Sequence, residues 1–212
     1  MEEIAAGFQR FRREAFPPRA ELFQRLATTH TPNALFIGCS DARVVPELIT
    51  QREPGELFVI RTAGNLVPPY GQGADGVAAS IEYAVNALGV ADIIVCGHSA
   101  CGAMTALATG TDMSGLPATA TWLRHADASK ALLDAAPTAP DTAAPGTGDR
   151  VTALVRQNVL AQLTNLRTHP SVARALAHHE VTLHGWVYDI GSGRIETLDA
   201  TTGAATPLTA GV

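Results

Sequence analysis

Three short runs, ALFI (34–37), LFVI (57–60) and IIVC (93–96), are apolar at every position. A strand with one wet face alternates apolar and polar residues, so a run without alternation belongs to a strand buried on both faces. Helical patterns lie between the runs. Residues 75–88 carry one, with Asp75 as N-cap and Gly89 as stop, and residues 100–108 carry another. EPGE (53–56) is a turn that leads into the second run. Short buried strands alternating with helices predict a parallel sheet covered by helices. Near the C-terminus, VTLHGWVYDI (181–190) and RIETL (194–198) flank GSG (191–193), the pattern of a strand and hairpin. The expected fold is therefore α/β. It has a central, mainly parallel sheet of four strands, helices on both faces, an antiparallel C-terminal edge and extended N-terminal helices.

The 212 residues fit a single domain over 1–212. Ile4, Phe8, Phe11 and Phe16, then Leu22 and Leu26, recur at roughly helical spacing, so residues 1–32 read as a helical arm, expected at a dimer interface. Residues 117–135 read as a helical pair. A Pro/Ala/Gly/Thr stretch predicts a flexible loop over 136–149. Residues 150–167 carry a helical stripe of Val151, Leu154, Val155, Val159, Leu163 and Leu166. A net charge of −5 argues against a nucleic-acid surface. No stretch approaches the roughly 20 apolar residues of a membrane span. The N-terminus lacks the basic start and apolar core of a secretion signal, which makes the cytoplasm the expected compartment. Three cysteines are not a disulfide framework; in a reducing compartment they pack, catalyse or bind metal.

Two of those cysteines stand just beyond strands. Cys39 and Asp41 follow the first run, and His98 and Cys101 follow the third. In open α/β sheets functional groups gather beyond the carboxyl ends of the strands. If the first and third strands are neighbours, the four side chains converge. Two thiolates and an imidazole are ligands zinc prefers. The gap from 39 to 98 fits a site assembled by the fold, not a zinc finger. Cys96 lies inside the third run and reads as a small buried hydrophobe. Asp41 either binds the metal as a fourth ligand or is held off it by Arg43, whose guanidinium matches a carboxylate bidentately. Held off, it can accept a hydrogen bond from a metal-bound water. Zinc with two thiolates and a neutral imidazole is formally neutral. It acidifies water less than a tris-imidazole zinc, for which the reference pKa is about 7. Activity is thus expected to rise on the alkaline side of neutrality. His125, His169, His178, His179 and His184 show no ligand spacing. GQGADG (71–76) precedes a helix but lacks a phosphate-loop lysine.

CSDAR (39–43), EPGELFVIRTAGNLV (53–67) and CGHSACGA (96–103) together resemble the motifs of β-class carbonic anhydrases of the bacterial, plant-like type. The resemblance runs from about residue 20 to 107 and, more loosely, to GWVYD (185–189). It implies an α/β fold, one zinc ion per chain, homodimers that can pair into tetramers, and interconversion of CO2 and bicarbonate by a zinc-bound hydroxide. By position, it implies Cys39, His98 and Cys101 as zinc ligands and Asp41 with Arg43 as the catalytic dyad, Asp41 being a fourth ligand only in a closed state. Phe58 and Tyr83 resemble aromatic positions that line the substrate pocket across the dimer interface. Ala63 belongs to the same apolar surroundings, and Gly102 matches a glycine whose amide lies near the substrate. His30 stands where many relatives carry a substrate-orienting Gln, and it can donate a hydrogen bond or move protons. Phe36 replaces the Trp of the bicarbonate-inhibited type, although Arg61 matches that type's Arg. The same site would also suit a COS or CS2 hydrolase, or a non-catalytic zinc scaffold that Asp41 keeps closed.

Overall fold

The computed structural model describes residues 1–71, 75–135 and 146–209. Most of the loop expected over 136–149, and the middle of GQGADG, lie outside the described residues. The N-terminal arm consists of α1 (Glu2–Arg10) and α2 (Ala20–Leu26), joined by a wider π turn over Phe11–Ala15 and a short 3-10 turn over Pro17–Arg19. Then come β1 (Ala34–Cys39), α3 (Pro46–Thr50), β2 (Leu57–Thr62), α4 (Gly76–Glu82), β3 (Asp92–His98) and α5 (Gly102–Thr109). The second half holds α6 (Pro117–Leu123), α7 (Asp127–Ala135), α8 (Thr147–Leu166) and α9 (Pro170–Ala177). It ends in β4 (Thr182–Tyr188), β5 (Ile195–Leu198) and β6 (Ala205–Pro207).

The six strands form one sheet in the order β2-β1-β3-β4-β5-β6. The first four in that order run parallel, and β5 and β6 add an antiparallel edge. β6 is the one strand without a sequence signal. It has three exposed residues, one of them Pro207, which an edge tolerates because it need not donate on both sides. β1 lies between β2 and β3, with Cys39 opposite Thr62 and Gly38 opposite Cys96. β3 in turn aligns His98 with Tyr188 of β4. The carboxyl ends of all four parallel strands therefore stop at one level, with Cys39 and His98 on adjacent strands.

Each face of β1 and β3 meets a different neighbour. Leu35, Ile37, Ile93 and Val95 pack with Leu154, Val155, Val159 and Leu163 of α8 in the main core. Gly97 and Gly185 let that helix come close, since a Cβ on Gly97 would stand 2.9 Å from methyl carbons of Val155 and Val159. On the other face Phe36, Ile94 and Cys96 pack with Leu57, Val59, Trp186 and Tyr188. α3 lies on that side, where Ile49 and Thr50 share the lining of a cavity of about 620 Å³ with Ala34, Ile94 and Trp186. The expected cap is present: Asp75 Oδ1 accepts a hydrogen bond from the Ala78 amide at 2.7 Å. Among the described residues, no helix is long and apolar enough to cross a membrane.

The arm is held to the body by Arg19, which donates to both oxygens of Glu53, and by Leu26 against Gly55. Phe11, Phe16 and Phe23 cluster with ring centroids 5.3–6.2 Å apart. No residue of α1 is buried, and Ile4 and Phe8 are 71% and 56% exposed.

Candidate metal centre

The chain leaves β1 at Cys39 through a turn fixed by backbone and side-chain donors. The Ser40 amide bonds to Thr62 O at 3.0 Å and the Val44 amide to Asp41 O at 3.0 Å. Arg61, on the neighbouring strand, donates from Nε to Cys39 O at 3.0 Å and from Nη2 to Asp41 O at 2.6 Å. Its role in the fold is thus to clamp the Cys39–Asp41 backbone. On the other side, β3 ends at His98 and the chain bends through Ala100 before α5 begins. Ala100 has φ +53°, a left-handed conformation that costs an L-residue about 1 kcal/mol or more. Such strain is concentrated at functional sites. Here it stands immediately before Cys101.

Asp41 and Arg43 join the two halves. Asp41 Oδ1 accepts from the Arg43 amide at 3.0 Å and from Nε at 2.9 Å, and Oδ2 accepts from Nη2 at 2.7 Å. The same Nη2 reaches Ala100 O at 3.1 Å. An ionised carboxylate offers about four acceptor sites. Arg43 takes three, and the fourth is on Oδ2, the oxygen 3.9 Å from His98 Nε2. The hydrogen bonds from Arg43, side chain first and then amide, hold the Asp41 carboxyl well below the usual carboxylate range.

Cys39, His98 and Cys101 are all buried, and their ligand atoms lie within 4.8 Å of one another. Among the described residues they are the one such group of three or more. His98 is fully buried, and its Nδ1 lies 2.9 Å from Ser99 O. A carbonyl only accepts, so Nδ1 carries the proton and Nε2 presents a lone pair. That Nε2 has no hydrogen-bond partner. A buried, unpartnered acceptor is costly, and metal-ligating histidines are oriented by just such a bond from the other ring nitrogen. The thiols complete the set. The hydrogen bond from Cys101 draws the Cys39 thiol pKa down, and the same contact, with burial, drives Cys101 up. One thiolate forms readily and the second is resisted by the first; a bound cation removes that resistance. This donor set fits zinc. Cys96 stands apart: burial pushes its thiol up to about 12, and its Sγ faces Gly97 O at 3.4 Å.

The remaining expected site residues fall into two places. Ala63 follows β2 directly, its carbonyl accepting from Trp122 Nε1 at 2.9 Å, and Gly102 opens α5 next to Cys101. Both adjoin the centre. Phe58 and Tyr83 touch each other, with ring centroids 6.0 Å apart, but Phe58 pairs with Leu35, four residues before Cys39. About 13 Å of strand separate the two levels. His30 is exposed and precedes β1, at the end of the strand away from Cys39. Within one chain these three residues do not meet the metal centre. The other histidines have structural partners where they are buried or half-buried: His169 with Pro68 O at 3.0 Å, His184 with Asp92 at 2.7 Å, and His125 edge-on to the Trp122 ring at 5.1 Å between centroids. What the residues alone did not announce is the support: the Arg61 clamp, the Trp122 bond, and a row of amides on α8. That row, Asn158, Gln162 and Asn165, flanks the apolar stripe at helical spacing. Its signal was amides in place of the charges a solvated flank would carry.

A family model described as carbonic anhydrase matches residues 34–195. The carbonic anhydrase of Pseudomonas aeruginosa is 60% identical over 199 residues, spanning 94% of this chain and 88% of that protein. Carbonic anhydrase 1 of Escherichia coli O157:H7 is 55% identical over 212 residues, spanning 99% and 93%. The solved structure of the β-carbonic anhydrase CcaA superposes with a TM-score of 0.91 at 39% identity, covering 99% of this chain and 92% of its own. With a match that spans strands and site alike, the chain belongs to the β-class carbonic anhydrases, lyases whose general reaction is the hydration of CO2.

Proposed function

We propose that this chain catalyses the reversible hydration of CO2 to bicarbonate and a proton, with one zinc ion per chain held by Cys39, His98 and Cys101. The observation that carries the reading is the unpartnered, buried His98 Nε2 beside two thiols and a carboxylate already claimed by Arg43. Zinc, when bound, supplies a Lewis acid that makes water nucleophilic near neutral pH. Asp41 accepts a hydrogen bond from the attacking water through the free site on Oδ2, and so aims a lone pair at CO2. Arg43 keeps that carboxylate ionised and in place. With Asp41 engaged in this way, it serves as acceptor and not as a fourth ligand. Ala63 and Gly102 border the reacting region. Phe58, Tyr83 and His30 supply the rest of the pocket from a second copy, so the working unit is a homodimer. The cytoplasm suits a site whose two thiols must stay reduced to bind metal.

A stopped-flow CO2 hydration assay, with zinc content measured on the same sample, tests this. Asp41→Asn should lower turnover by about 10²-fold or more while zinc stays bound. Unchanged turnover would remove Asp41 from the reaction. Wild-type protein that binds zinc but hydrates neither CO2 nor COS would be a scaffold.

A further inference from the structure

Residues 64–68 follow β2 as a buried stretch, the end of a 3-10 turn over Ala63–Asn65 and then chain outside helix and sheet, whose buried backbone groups must find partners elsewhere. Thr62 and His169 serve Leu66 O and Pro68 O, and α8 serves Gly64 and Val67. Asn158 Nδ2 donates to Gly64 O at 3.0 Å, and Gln162 Oε1 accepts from the Val67 amide at 2.9 Å. Gln162 Nε2 donates to Asn158 Oδ1 at 2.9 Å, which locks the two amides to each other. Both side chains are fully buried, at 1% and 0% exposed. Buried amides of this kind are strongly oriented, because each lost partner leaves another group unpaired.

Gly64 is the point at which this network meets the metal centre. It sits two residues beyond Thr62, the residue opposite Cys39 in the sheet. Its φ is +72°, and a Cβ there would lie 3.1 Å from both Ala103 Cβ and Met104 Cε, on the first turn of the helix that starts after Cys101. Gly64 therefore packs between the Cys39 strand level and the Cys101 helix.

We infer that Asn158, braced by Gln162, is a positioning residue of the metal centre: it holds the Gly64 turn so that the turn sets the spacing of the Cys39 and Cys101 thiols. This rests on the metal-centre reading above. Positioning groups outside the ligand set typically change metal affinity 10–100-fold when lost. Asn158→Leu keeps the bulk and removes the donor to Gly64. Thr168→Val removes a hydroxyl that accepts from the Tyr70 amide at 2.8 Å, a clamp of the same kind at the far end of the segment.

The test compares zinc affinity by chelator competition, and the thiolate-to-cobalt charge-transfer band of cobalt-substituted protein, in wild type and both variants. Asn158→Leu should bind zinc about 10-fold or more weakly and shift the band, while Thr168→Val keeps both. If Asn158→Leu does not fold, Asn158→Ser is read in its place, with a loss in the same direction. A folded Asn158 variant with wild-type affinity and band would overturn the inference, as would Thr168→Val shifting both equally. Wild-type protein that takes up neither metal would overturn the centre itself and the inference with it.

Discussion

Asp41 gives three of its acceptor sites to Arg43 and keeps one, and this division sets its behaviour with pH. Its folded pKa lies below the ordinary value of about 3.9. The stabilisation from the pair is thus present above that ordinary value and is lost only as pH falls through the depressed folded pKa. Between pH 5 and pH 9, roughly, Asp41 stays ionised. The alkaline rise expected of the activity would then come from the nucleophile and not from this carboxylate. Replacing Arg43 with Met should bring the Asp41 titration up toward the ordinary range, read by 13C NMR of the labelled carboxyl. An unmoved titration would show that something other than the guanidinium holds it down. Residues of this kind were legible from the chain, because a thiol, an imidazole and a carboxylate–guanidinium pair carry their chemistry in their identity. Arg61 was picked out only as a match to the Arg of the bicarbonate-inhibited type; its work here, donating to the Cys39 and Asp41 carbonyls, was not legible. Any long donor at that place can do this, and only the strand register reveals that Arg61 is there.

At the level of elements, the apolar runs reported the strands because burial on both faces leaves no polar position to confuse the pattern. The stripe read over 150–167 lies within two or three residues of α8 as observed, Thr147–Leu166. What a stripe does not report is how near a helix lies to its sheet. Gly97 and Gly185 determine that, and they read in sequence only as small residues inside strands. At Gly97 an added methyl would press on Val155 Cγ1 and Val159 Cγ2, both 2.9 Å from its ideal place. Gly97→Ala should therefore destabilise the fold by about 1–3 kcal/mol, the usual cost of overpacking a filled core. Urea unfolding would measure it. Val159→Ala opens room for the methyl, so the double variant should be more stable than the two single losses summed. Strict additivity would mean that the helix is not pressed against this glycine.

For the molecule as a whole, the four parallel strands separate two sets of residues that one reaction would need together. Cys39, Asp41, His98 and Cys101 lie at the carboxyl ends, and Phe58, Tyr83 and His30 lie toward the other end. A single chain cannot close that distance, but two chains can if one presents its Phe58 end to the other's metal end. The arm gives this arrangement a physical motive. Ile4, Phe8 and Phe11 stand at i, i+4 and i+7 and are 71%, 56% and 39% exposed; Phe11 rests against Phe16 and Phe23, and from there the stripe runs out along α1, none of whose residues is buried. Contiguous apolar stripes of this sort mark interaction surfaces. Sedimentation equilibrium should give wild-type protein twice the mass of one chain, or a multiple of that. Ile4→Glu with Phe8→Glu places two carboxylates on the stripe and should shift the species toward monomer without disturbing the sheet. Zinc content should hold, since the ligands come from one chain, while CO2 hydration falls with the dimer fraction as the protein is diluted. A monomeric variant with full activity would show instead that the metal end is sufficient alone, and that the aromatic pair at the far end of the strands belongs to packing.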